Sequence, residues 1–184
     1  MMKFSAEKLA FFALVCISLL FLAFVYFESG YAKRPAFIFA YGANLEKATF
    51  ASRSGGFDNA APARLDGYRL EFGTNKGTQF GVANIVKDEN GSVPGAVYTL
   101  DRQEANALDA DMGVPGFYGK ISAKATLPDG TLVDVETYSL SGTPSLAPPS
   151  RPTVEAAAKG LQEFGYGQNE SQLIVDAAAS AKKD

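Results

Sequence analysis

The 184-residue sequence contains no histidine, no tryptophan and a single cysteine, Cys16. These absences exclude a Ser-His-Asp or Cys-His catalytic system and a zinc site built from His or Cys ligands, because the required side chains are missing. Any catalysis would therefore use carboxylates, tyrosine, lysine, serine, threonine or backbone dipoles. A single cysteine cannot form an intrachain disulfide, and since larger domains fold without one, the cellular compartment stays open.

The sequence also lacks a large excess of either charge. It has 17 basic and 20 acidic residues, which gives a net charge of −3. Proteins that bind nucleic acid usually carry a marked excess of positive charge, so we predict no nucleic-acid partner. We also expect no cofactor and no metal ion.

One long apolar segment is present near the N-terminus, where residues 9–27 contain no charged side chain. This is about the length that a helix needs to cross a hydrocarbon core of roughly 30 Å. The segment exceeds the roughly 7 to 15 apolar residues of a signal-peptide core, which favours an uncleaved membrane anchor. A cleaved signal peptide is the alternative, because Gly30-Tyr31-Ala32 would suit a signal peptidase.

Basic residues lie on both sides of this segment, with Lys3 and Lys8 before it and Lys33 and Arg34 after it. The positive-inside rule therefore leaves open which side of the membrane holds the rest of the chain, with a slight preference for a cytoplasmic N-terminus. The remaining length suits one domain. We predict an N-terminal flank at 1–8, a transmembrane anchor at 9–27, a linker at 28–35, one domain at 36–180 and a tail at 181–184.

The domain has the sequence pattern of several strands. Alternation of apolar and polar side chains over residues 68–72 and 117–127 has the period of half-buried strands. A Pro-Asp-Gly turn at 128–130 leads from the second of these into residues 133–140, which predicts a hairpin. Residues 81–86 and 93–100 predict two further strands, joined by a polar turn over 87–91.

Four helices are predicted. Asp101 and Glu104 have the spacing of a capping box, so a helix should begin there and continue through Ala110. Another helix is expected over residues 46–53, and two more over 154–164 and 170–179. The Pro-rich residues 142–152 are interpreted as an extended linker.

A short apolar strand at residues 37–41 leads into a turn that contains Gly42 and Asn44. Such a turn can direct successive backbone N–H groups at an anion, and the helix that begins at Glu46 would point at the same place. A plain turn before a helix is the alternative interpretation.

Four stretches together resemble the γ-glutamylcyclotransferase family, also called AIG2-like. They are residues 39–45, 63–72, 83–86 with 93–98, and 108–118, and Pro149-Ser150 resembles its C-terminal part. The resemblance covers residues 36–175 and implies an α+β fold, a small mixed β-barrel with flanking helices. It also implies an activity: members cleave small γ-glutamyl amines, amino acids or peptides by attack of the substrate's own α-amine on its γ-carbonyl, which releases 5-oxoproline.

The resemblance also implies which residues bind the substrate. In the family a Tyr-Gly-Ser-Asn-Leu turn holds the γ-glutamyl end of the substrate, and here that turn is Tyr41, Gly42, Ala43, Asn44 and Leu45. Ala43 replaces the family's serine, so one hydroxyl is lost while the backbone could still form the same turn. Tyr118 would either line the pocket, as the family's tyrosine does, or serve in packing.

The family's catalytic base is a glutamate that follows a Leu-Asp pair, and counting from Leu108-Asp109 that place holds Met112. A thioether cannot accept a proton at neutral pH, so the neighbouring Asp111 becomes the candidate base and Met112 a binding residue. Alternatively, Asp109 and Asp111 are solvated carboxylates at a helix end. Two hypotheses follow: a membrane-anchored γ-glutamylcyclotransferase with Asp111 as base, or a non-catalytic member that binds a γ-glutamyl ligand or acts as a scaffold.

The C-terminal part departs from the family as well, since Thr153 stands where an aromatic hydroxyl belongs. Lys120 lies on the polar face of its predicted strand and is expected to be solvated.

Overall fold

The computed structural model describes residues 13–25, 35–75 and 79–182. The chain divides into two compact units, residues 1–34 and residues 35–184. In the first unit, residues 13–25 form helix α1, whose apolar side chains are mostly exposed. The predicted anchor extends at both ends beyond the described residues. The predicted flank at 1–8 and most of the predicted linker at 28–35 also lie outside them. Within the described part of the chain, no helix is both long enough and apolar enough to span a membrane.

The second unit contains a closed barrel. Its strands are β1 Ala36–Ala40, β2 Asn59–Thr74, β3 Val82–Leu100, β4 Tyr118–Thr126, β5 Leu132–Leu140 and β6 Ser145–Leu146. Strand order is β3-β1-β5-β4-β2, and because β2 also pairs with β3 the five strands form a closed ring, to which the short β6 is added beside β2. The pairing of β1 with β5 is parallel, whereas the other pairs are antiparallel. The predicted small mixed barrel is thereby confirmed.

Helices flank this barrel, as predicted. They are α2 Lys47–Ser54, α3 Arg102–Asp111, α4 Arg151–Glu163 and α5 Gln168–Ser180, with a 3-10 turn at Gly42–Leu45 between β1 and α2. The capping box at the start of α3 is confirmed, because the Glu104 amide donates to the Asp101 carboxylate and the Asp101 amide donates to the Glu104 carboxylate. Helix α4 begins three positions before the predicted start, since the Ser150 hydroxyl caps it.

The predicted turn over residues 87–91 is wrong. This segment belongs to one long strand, β3, which pairs with β2 on both sides of a bulge. Asp66 pairs with Ser92 and Tyr68 with Lys87, so residues 88–91 of β3 lie opposite Gly67 alone. Polar residues and a glycine are compatible with a turn and with an exposed bulge alike, and the sequence pattern does not separate the two.

The 3-10 turn that follows β1 is held in place by packing against two parts of the molecule. The rings of Phe50 and Tyr98 stack with centroids 3.7 Å apart, and the Tyr98 hydroxyl donates to the Leu45 carbonyl at 2.8 Å. Helix α4 approaches so closely at Gly160 that a Cβ there would lie 2.5 Å from the Glu46 nitrogen. The turn is therefore held by the aromatic core and by α4.

Candidate active site

A cavity of about 150 Å³ opens where β1 ends. Its walls come from the 3-10 turn, the C-terminal ends of α2 and α3, and the start of β4. Six of the eight residues that the sequence proposed for the site line this cavity: Tyr41, Ala43, Asn44, Asp111, Met112 and Tyr118. The other two, Gly42 and Leu45, lie in the turn, where both are buried.

Gly42 gives the turn its shape. Its φ of +59° lies in the left-handed region, which glycine adopts more readily than other residues. A Cβ at this position would lie 2.4 Å from the Ala83 Cβ on β3, so the turn also approaches the barrel more closely than a side chain would allow. The first N–H groups of a helical turn have no partner within the helix.

Met112, which directly follows α3, contacts the turn. The Asn44 amide nitrogen lies 3.3 Å from the Met112 sulfur, and the Met112 residue is only 5% exposed. The position that the resemblance assigns to the base is thus occupied by a thioether inside the cavity.

Asp111 lies at the rim of the same cavity. Its carboxylate accepts a hydrogen bond from the Arg53 guanidinium at 3.2 Å, and the two side chains are 44% and 36% exposed, respectively. Among the cavity-lining residues within the described part of the chain, Asp111 is the only carboxylate and Arg53 the only cation. Asp111 therefore forms an ion pair at the edge of the cavity and is not a freely solvated carboxylate.

Asp109 and Lys120 are not simply solvated, which corrects the expectation for both. The Tyr138 hydroxyl donates to one Asp109 oxygen at 2.7 Å, and the Lys120 ammonium donates to the other at 3.1 Å. Lys120 also pairs with Glu136 at 2.6 Å. Burial opposes the charge of Lys120, but hydrogen bonds to Glu136 and Asp109 outweigh it and raise the pKa of the ammonium. These contacts attach the end of α3 to the barrel.

Three buried tyrosines surround the cavity and brace it. The Tyr41 hydroxyl donates to the Tyr138 carbonyl at 2.6 Å, and the Tyr118 hydroxyl donates to the Ala83 carbonyl at 2.8 Å. Burial raises the pKa of Tyr41, Tyr118 and Tyr138 above that of a free phenol, although the positive charge of Arg53 acts in the opposite direction on Tyr118. All three phenols remain protonated at neutral pH. Tyr118 thus combines the two roles considered for it, since it lines the cavity and packs against β3.

Sequence reasoning did not include several lining residues, among them Arg53, Ala83, Phe117 and Tyr138. They come from elements far apart along the chain, and no local pattern marks them as neighbours of the turn. Thr153, which was noted only as a departure from the family, also lines the cavity.

The chain superposes on a solved gamma-glutamyl cyclotransferase with a TM-score of 0.71 and 25% identity, over 82% of this chain and 100% of that one. It is 29% identical to the human gamma-glutamylcyclotransferase over 133 residues, which cover 69% of this chain and 70% of the human protein. The mouse protein is 29% identical over 142 residues, or 74% of this chain and 75% of its own length.

A family model described as gamma-glutamyl cyclotransferase, AIG2-like, matches residues 38–156. The chain therefore belongs to the γ-glutamylcyclotransferase, AIG2-like family, and the resemblance inferred from its sequence is confirmed.

Proposed function

We propose that this protein binds a small γ-glutamyl compound in the cavity beside the 3-10 turn and cyclises it to 5-oxoproline, with Asp111 as the general base. The observation that carries the proposal is that one cavity is lined both by the turn residues Tyr41, Ala43 and Asn44 and by the Asp111 carboxylate. The human and mouse relatives are γ-glutamylcyclotransferases, which supports the reaction class.

In the proposed reaction, the Asp111 carboxylate takes one proton from the α-ammonium of the ligand. The freed amine nitrogen attacks the γ-carbonyl carbon and closes a five-membered ring. The bond between that carbon and the leaving nitrogen then breaks, and the leaving nitrogen receives two protons, one from Asp111 and one that the ring nitrogen loses. The products are 5-oxoproline and a protonated amine, and the Asp111 carboxylate is regenerated.

A second candidate function is ligand binding without turnover, and the position of Met112 favours it. The Met112 sulfur, rather than a carboxylate, lies against Asn44. Loss of a general base typically costs about 10²- to 10⁴-fold in rate, which is enough to end catalysis unless Asp111 substitutes for it.

Two variants separate these functions. If Asp111 is the base, the purified protein should release 5-oxoproline from a panel of γ-glutamyl amines and peptides, and Asp111→Asn should reduce the rate by at least about 10²-fold while the protein stays folded. Asp134→Asn is the matched control, because it removes one exposed carboxylate outside the cavity and should leave the rate unchanged.

If the protein only binds its ligand, the wild type should release no 5-oxoproline, and Met112→Glu should introduce measurable turnover. Activity that survives Asp111→Asn would remove Asp111 from the catalytic role. Binding by the wild type without release of 5-oxoproline would support the ligand-binding function instead.

We further propose that residues 9–27 anchor the protein in a membrane as a single pass. The support is the absence of charge from this segment and the exposure of large apolar side chains on α1, such as Leu20 and Phe21. The full-length chain should remain with membranes after washing with carbonate or high salt. Recovery of a chain shortened at its N-terminus in the supernatant would instead establish a cleaved signal peptide.

A further inference from the structure

Arg53 has no assigned role in the reaction described above. It lies in the last turn of α2, and its Nη1 atom contacts both the Asp111 carboxylate at 3.2 Å and the Met112 sulfur at 3.7 Å. Its side chain is 36% exposed and lines the cavity, so a ligand in the cavity can reach it.

The guanidinium has unused hydrogen-bonding capacity. It presents five N–H donors in a planar fork that matches a carboxylate. Both side-chain contacts use Nη1, and within residues 13–25, 35–75 and 79–182 no other side-chain hydrogen bond or ion pair involves this guanidinium. An exposed ion pair of this kind contributes little to stability, so holding α2 against α3 does not by itself explain an arginine at the rim.

The charges at the rim are complementary to one end of a γ-glutamyl compound. That end carries an α-carboxylate and an α-ammonium on the same carbon atom. Arg53 and Asp111 likewise place a positive and a negative group side by side, 3.2 Å apart. A ligand entering between them would exchange one ion pair within the protein for two ion pairs with the ligand.

We propose that Arg53 binds the α-carboxylate of the ligand while Asp111 faces its α-ammonium, so that the site selects γ-glutamyl compounds with a free α-carboxylate. This inference rests on the proposed function and names the feature of the ligand that is recognised.

The test compares γ-glutamylethylamide with its α-carboxamide, in which an uncharged amide replaces the carboxylate that Arg53 would bind. The readout is the dissociation constant, or kcat/KM where 5-oxoproline is released, measured on the purified full chain. We expect the wild type to prefer the carboxylate form by about 10- to 100-fold, the range for a charge-assisted hydrogen-bonded pair.

Arg53→Gln should lose this preference, and Arg53→Lys should keep part of it because the charge remains without the planar fork. Lys124→Gln is the matched control, since it removes an exposed cation paired with Asp134 and should leave the preference unchanged. A thermal unfolding curve for each variant confirms that it is folded, and the preference of the wild type tests the proposal even if Arg53→Gln does not fold.

Equal affinity of the wild type for both compounds would overturn the role of Arg53 and leave the proposed function standing, as would an undiminished preference in folded Arg53→Gln. If neither these two compounds nor any member of the γ-glutamyl panel binds, the proposed function fails and this inference fails with it.

Discussion

At the scale of single residues, Gly42 controls the shape of the candidate site through the absence of a side chain. We expect Gly42→Ala to lower the free energy of unfolding by about 2–4 kcal/mol. About 1–2 kcal/mol of this comes from the left-handed backbone and the rest from the clash with Ala83, which lies 2.4 Å from the new Cβ. Urea denaturation measures the loss, and affinity for a γ-glutamyl ligand should fall as well.

Gly130→Ala is the control for this prediction. Gly130 has a φ of +87°, but a Cβ there would meet nothing within 4 Å, so only the backbone part of about 1–2 kcal/mol should appear. Adding Ala83→Gly to Gly42→Ala should recover part of the difference, because it removes the clashing atom. Equal losses for Gly42→Ala and Gly130→Ala would show that the close approach to Ala83 does not constrain the turn.

At the scale of elements, helix α3 carries Asp111 at its end and Met112 directly after it, and it is held at both ends. Its start has the capping box of Asp101, and its end is attached to the barrel through Asp109. We expect Asp101→Ala to cost about 1 kcal/mol, as is usual for an N-cap. Asp109→Ala should cost about 1–3 kcal/mol, because the partly buried Tyr138 hydroxyl loses its acceptor and Lys120 loses one of its carboxylates.

The two variants should also differ in ligand binding. Asp109→Ala releases the end of α3 that carries the cavity residues, so affinity for a γ-glutamyl ligand should fall, whereas Asp101→Ala acts at the far end and should leave it near that of the wild type. Chemical denaturation and a binding titration test both expectations. An unchanged affinity in folded Asp109→Ala would mean that this attachment does not position the site.

At the scale of the whole molecule, buried tyrosines predict a loss of stability in alkali. Burial raises the pKa of Tyr41, Tyr98, Tyr118 and Tyr138 in the folded protein. In the unfolded chain these phenols lose their protons near pH 10. Above about pH 10 the unfolded state therefore binds fewer protons than the folded state, and the free energy of unfolding falls as pH rises.

Each of these phenols should contribute up to about 1.4 kcal/mol per pH unit above its unfolded pKa, and the raised pKa of Lys120 acts in the same direction. Below about pH 9 the tyrosine contribution should be constant. Denaturant midpoints measured from neutral pH into alkali test this, and Tyr138→Phe should make the alkaline decline shallower. Tyrosinate absorbance from these four residues at pH 10 in the folded protein would contradict the prediction.

Local patterns were sufficient for much of the architecture. The alternation over residues 68–72 and the Pro-Asp-Gly turn at 128–130 specify strands and a hairpin through contacts between near neighbours in the chain. The capping box at Asp101 likewise depends on residues three positions apart. Where a polar segment was compatible with two geometries, as at residues 88–91, the pairing of β3 with β2 decided between a turn and a bulge.

The composition of the candidate site depended on the tertiary structure. Asp111 and Met112 are adjacent in sequence, but consecutive residues near a helix end project in different directions, so adjacency alone cannot say which of them faces Asn44. Arg53 reaches Asp111 across 58 positions of the chain, and Tyr138 reaches Asp109 across 29. The sequence alone thus specifies the family, most of the secondary structure and the glycine turn, since these rest on short-range backbone and side-chain preferences. The charge pair at the cavity rim and the thioether against the turn arise only when the barrel closes and brings α2, α3 and β1 together.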